Sequence, residues 1–193
     1  MLILGLILFF GIHALPMNTG ARTAVLDRLG EPAYKVLFGV MSLAGLVVIV
    51  WGYQAAVEDN VFIWTPPVWT QHIAVLLMLP ALIILVSAYV PSRIRSALKH
   101  PMLVAIKVWA FAHLIANGDL VSMILFGAFL AYAVVDRISV KRRAALGPLG
   151  AAAGTVWGDV ISVVVGSAAF WFFLVYGHAW LFGVAPIPAL SWY

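Results

Sequence analysis

The stretch KHPMLVAIKVWAFAHLIANGDLVSMILFGAFLAYAVVDR, residues 99–137, holds two apolar runs parted only by Asn117, Gly118 and Asp119. Each run approaches the about 20 helical residues that cross a hydrocarbon core, and a link of three polar or small residues reads as a tight helical turn. Bases stand at the two outer ends, Lys99 and Arg137, and Lys107 is the one base inside the runs. Two antiparallel helices, apolar along their length and polar only where they turn or end, describe a membrane hairpin.

Outward from this hairpin the texture repeats. Apolar runs cover roughly 1–17, 36–57, 68–90, 101–117, 119–136 and 155–184, so the chain reads as all-α, a polytopic membrane bundle of about six transmembrane helices forming a single integral domain over 1–193. The last run is long enough to tilt, or to end as an interfacial segment before Pro186 and Pro188. The N-terminal MLILGLILFF lacks a basic leader and a small-residue cleavage site, so it reads as a first span and not as a removable signal. Composition agrees, with 65% of the 193 residues hydrophobic, 9% charged and a mean hydropathy of +1.09. A soluble domain needs about a quarter of its residues charged.

Lysine and arginine set the orientation, because bases near span ends are retained in the cytoplasm. Arg22, Arg28 and Lys35 lie in the first loop, Arg93, Arg95 and Lys99 in the third, and Arg137, Lys141, Arg142 and Arg143 in the fifth. The second loop, the fourth loop and the tail carry none, which puts both termini outside. The net charge of +4 is therefore a topology signal, and a nucleic-acid footprint, which needs a basic stripe on one folded face, is not expected.

Cysteine is absent, which excludes disulfides, thiolate nucleophiles, iron–sulfur clusters and cysteine-ligated zinc or haem. HExxH, phosphate-loop and GxGxxG patterns are missing too, so hydrolysis and nucleotide chemistry lack support. The candidates that remain are ionisable groups inside the bilayer, where each is costly. His113 sits in VWAFAHLIANGD with Trp109 one turn before and Asn117 one turn after, giving a polar and aromatic face. His13, in FFGIHALPM, is the second buried imidazole. Each reads either as a hydrogen bond between helices or as a metal ligand. Two histidines without cysteine suit b-type haem, whose iron takes two neutral imidazoles. His72, His100 and His178 fall near span ends and read as interfacial. Lys107 and Asp159 read either as an ion pair or as a snorkelling lysine and a headgroup carboxylate.

Two blocks carry a family resemblance. GIHALPMNTGARTAVLDRLGEPAYKVLFGVMSLAGL, residues 11–46, and the 99–137 hairpin with its HPM, W-x-x-x-H, NGD and Asp136–Arg137 elements resemble NnrU membrane proteins and, more distantly, 15-cis-ζ-carotene isomerase. The isomerase resemblance implies haem b held at the positions matching His13 and His113, with a haem-dependent cis–trans isomerisation of an apolar isoprenoid as one activity. The NnrU resemblance implies a bacterial inner-membrane protein tied to nitrite and nitric oxide metabolism. KHPMLVAIKVW also resembles the RHP-x-Y-x-G-x-x-x-W motif of isoprenylcysteine-type methyltransferases, with Leu103 and Ala105 in place of its Tyr and Gly. A haem-free assembly factor is a further reading.

Depth separates the two leading histidines. At 1.5 Å per residue, His13 falls in the inner third of its span while His113 stands about three residues from the outer loop, level with His72 instead. His72 is thus the alternative partner. An inner site is favoured by charge, because haem propionates need a cationic partner or water, and Arg22, nine residues after His13, is the nearest candidate, ahead of Arg95 and Arg137. An outer site would leave the propionates near Asn117, Trp69 and His178.

Overall fold

The computed structural model describes residues 1–57 and 59–187, whose regular structure is all helical, with no strand among them. Pro188 lies outside the described residues. Helices α1 (Leu2–Ala14), α2 (Thr19–Val57), α3 (Val68–Ser87), α4 (Arg93–Leu98), α5 (Pro101–Ala116), α6 (Leu120–Arg142) and α7 (Val156–Phe172) follow in order, and α7 runs through a π turn, Phe173–Gly177, into α8 (His178–Phe182). Among the described residues, four helical stretches are long and apolar enough to cross a membrane: Thr19–Val57, Val68–Ser87, Leu120–Arg142 and Val156–Phe182. Leu2–Met17 and Pro101–Ala116 are shorter apolar helices.

The loops differ from expectation. The first loop is helical: α2 starts at Thr19, where Asn18 caps it by accepting from Ala21 N at 3.0 Å. The chain breaks direction at Gly30, whose φ of 75° is open to glycine and strained for other residues. Pro32 then begins the longer piece without an N–H to satisfy. The third loop contains α4, and α6 runs past the expected 136 because its last turn is built of Lys141 and Arg142, which favour helix and suit its C-terminal pole.

α1 and α2 lie antiparallel at backbone contact. A Cβ placed on Gly5 would meet Ile49, one on Gly45 would meet Phe9, and one on Gly52 would meet Leu2. Such glycine seams let helices approach closely where lipid supplies no hydrophobic drive. Leu2, Leu6 and Ile49 then share a cluster with Ala110 of α5 and Leu125 and Phe126 of α6, while α3 packs between α5 and α7. Outside this cluster, large side chains face outward: Leu76 is 70% exposed and Val36 65%. Trp51, Trp69 and Trp180, also exposed, gather toward the end where α2 stops and α3 starts. Among the described residues every buried side-chain nitrogen or oxygen has a hydrogen-bond partner, which a lipid environment demands.

Each end of the bundle is latched. At one end, Asp119 caps α6 by accepting from Ser122 N at 2.7 Å and also accepts from Asn60 Nδ2. Ile63 N donates to Gly118 O at 2.8 Å. At the other, Thr155 donates twice to Pro91 O, through N and Oγ1, at 2.9 Å each. Asp159 Oδ1 accepts from Ile94 N at 3.1 Å, so this carboxylate serves the start of α4. Among the described residues the ion pairs are Lys35–Glu31 and Arg143–Asp136, and Lys107 belongs to neither.

Candidate functional site

His113 lies on the last turn of α5. Its Nδ1 stands 2.8 Å from Trp109 O, and since a carbonyl only accepts, Nδ1 carries the proton and Nε2 presents a lone pair. Its ring rests 4.5 Å from Phe126 and 5.2 Å from Trp109, centroid to centroid. Asn117 folds back, donating Nδ2 to His113 O at 2.8 Å, and so closes the end of α5 under the histidine.

The imidazole nearest His113 belongs to His178. The two rings are 6.2 Å apart and only 16° from parallel. His178 Nδ1 donates to Val184 O at 2.6 Å, which leaves its Nε2 free in the same way. The π turn Phe173–Gly177 just before it adds a residue to the helical repeat and re-aims the side chain that follows. Gln54 Nε2 donates to Leu181 O at 3.3 Å, joining α8 to the end of α2.

His13 is elsewhere. Its Nδ1 donates to Phe9 O at 2.7 Å, its ring stacks on Phe9 at 4.1 Å, and Tyr132 Oη donates to its carbonyl at 3.3 Å. His13 neighbours Tyr132 while His113 neighbours Phe126, six positions apart on α6 and hence about 9 Å in depth. Phe9, Phe129 and Trp109 form the ring-to-ring path that connects them. His72 is exposed on α3 and has no ring contact with another histidine among the described residues.

Arg22 lines an open cleft of about 460 Å³ with Pro16, Tyr34, Lys35, Phe38 and Arg143, its guanidinium 5.9 Å from the Tyr34 ring. Phe38 is shared with His13, at 4.9 Å. Arg95 is otherwise engaged: 7% exposed, it donates to Ala152 O at 2.8 Å and to Gly150 O, holding the loop before α7.

Comparison with protein families matches the chain to the NnrU protein model over residues 1–186. The chain belongs to the NnrU family. Comparisons with curated proteins and with solved structures give no match. In this NnrU protein the rings of His113 and His178 stack with centroids 6.2 Å apart, whereas about 9 Å of depth along α6 separates the neighbours of His13 from those of His113. No group of three or more His, Cys, Asp or Glu residues that could hold a metal occurs among the described residues. The depth argument that separates His13 from His113 applies to His178 as well as to His72, since residue 178 falls near the outer end of the last apolar run. The signal lay in the sequence, but the π turn that aims the ring did not.

Proposed function

We propose that this NnrU-family membrane protein binds haem b through His113 and His178, and serves nitrite or nitric oxide metabolism in a bacterial inner membrane. The observation that carries the reading is the pair of near-parallel imidazoles 6.2 Å apart, each with Nδ1 committed to a backbone carbonyl. When bound, haem b would supply a one-electron redox centre. The chain's own part is to fix two tautomers, to wall the pair with Trp109 and Phe126, and to anchor the end of α5 through Asn117. His13, with Arg22 one ring away beyond Phe38, is the alternative inner locus.

Six crossings with both termini outside belong to the same reading, supported by the antiparallel seam of α1 on α2 and the short turn from α5 to α6. A periplasmic reporter at the C-terminus should be active.

Absorption spectra of the purified full-length protein, oxidised and reduced, test the cofactor. Wild type should show a Soret band with sharp reduced α and β bands. His113→Ala and His178→Ala should each lose the low-spin spectrum while His13→Ala keeps it. Loss with His13→Ala and retention with His178→Ala would move the site to the inner locus. A protein that takes up no haem when supplied with it would leave the haem-free assembly role.

A further inference from the structure

We propose that the cleft at the basic end of the bundle is a binding site for a phosphate-class dianion, carried by a lipid headgroup or free in solution. The cleft is about 420 Å³, the size of a small-molecule site. Arg95, Lys99, His100, Arg137 and Lys141 line it, and no carboxylate is among its walls.

Topology alone calls for bases near the span ends, not for a shaped cavity between them. Here the loop after α6 is folded back into a wall. Arg95, buried and bonded to Gly150 O and Ala152 O, ties that wall to α4. Lys99 and Ala144, with φ of 62° and 48°, are the non-glycine residues of positive φ in the described chain, and both line the cleft. Backbone held in that region costs energy that the surroundings must over-determine.

The charges are uncommitted. Asp136, the nearest acid, bonds Arg143 at 3.4 Å, and Lys99, Arg137 and Lys141 form no ion pair among the described residues. The first turn of α5 adds a positive pole: His100 stands at its N-cap without a side-chain cap bond and Pro101 follows. A guanidinium fork and two ammonium groups around one pole favour a compact dianion with several acceptor oxygens over a single carboxylate. The cleft opens where apolar helices end, the depth at which basic pockets meet lipid headgroups.

Isothermal titration of the detergent-purified full chain tests this with three probes: short-chain phosphatidic acid, short-chain phosphatidylcholine and inorganic phosphate. Phosphatidic acid should bind at one site and phosphatidylcholine should not. The Lys99→Gln/Arg137→Gln/Lys141→Gln protein should bind on the order of a hundredfold more weakly, from about 1 kcal/mol per basic residue. Arg95 is kept so that the loop stays tied, and Arg137→Gln alone, expected to lose several-fold, carries the comparison if the triple variant misfolds. Competition by inorganic phosphate supports a site that accepts the free anion, phosphatidic acid binding without such competition supports the lipid source, and phosphate binding alone supports a soluble ligand. Binding that is equal for phosphatidic acid and phosphatidylcholine, or unchanged by the substitutions, would overturn the proposal.

Discussion

Asp119 offers the sharpest test of how the histidine-bearing end of the bundle is held. It is 7% exposed, accepts from Ser122 N at 2.7 Å as the α6 cap, and accepts from Asn60 Nδ2. Asp119→Ala removes the cap, at about 1 kcal/mol, and a hydrogen bond to a charged acceptor, at about 1.5–3 kcal/mol. The sum is about 3 kcal/mol. For a chain of this length that is a fall of about 6–12 °C in Tm. Asp119→Asn keeps a capping oxygen and should cost about 1 kcal/mol. Asn60→Ala loses both the bond to Asp119 and the one its Oδ1 accepts from Val121 N at 3.2 Å, so a double-mutant cycle should return a coupling of about 1–2 kcal/mol between Asn60 and Asp119. Thermal unfolding in detergent, followed by circular dichroism, measures the parent and all four variants. An Asp119→Ala protein within about 0.5 kcal/mol of the parent, the range of an ordinary surface change, would refute the reasoning.

Three further outcomes follow from the packing and charge. Gly52→Leu drives a side chain into the backbone at Leu2 and should cost about 1–3 kcal/mol or more by overpacking, read as a lowered Tm with faster hydrogen exchange in α1. An unchanged Tm would remove the α1–α2 seam. Arg95→Gln should free the loop around Gly150 and Ala152, with protease nicking there as the readout and intact α6 and α7 as the control. His100 is held below the ordinary imidazole value of 6.5 by burial first, then by Arg137, with Arg143 and Lys99 adding and Asp136 opposing. Above pH 6.5 both folded and unfolded chains hold it neutral; as pH falls through 6.5 the unfolded chain takes up the proton first, so stability is lost. His100→Gln should remove that part of the pH dependence, and a profile identical to the parent would exclude His100 as its source.

The membrane helices were legible because lipid writes in hydropathy. The runs 68–90, 101–117 and 155–184 correspond to α3, α5 and α7 with its extension, since a helix in hydrocarbon must be apolar all round. Loops answer to other forces. Residues 18–35 are polar enough to read as a link, yet Asn18 can cap a helix, and only the pair Gly30 and Pro32 turns the chain. α4 escaped notice because its six residues have no room for a periodic pattern. The site divides in the same way. His113, Trp109 and Asn117 share a face by i, i+4 spacing, and that spacing became the hydrogen bonds from His113 Nδ1 to Trp109 O and from Asn117 Nδ2 to His113 O. The His178 contact has no such local origin. It depends on a π turn whose one-residue offset is a packing outcome, set where Gly177 fits against the Phe172 and Phe173 rings. A substituent at Gly177 would meet those rings before it met His113. Gly177→Ala should therefore displace His178 while leaving α5 intact, separating the contribution of the turn from that of the histidine itself.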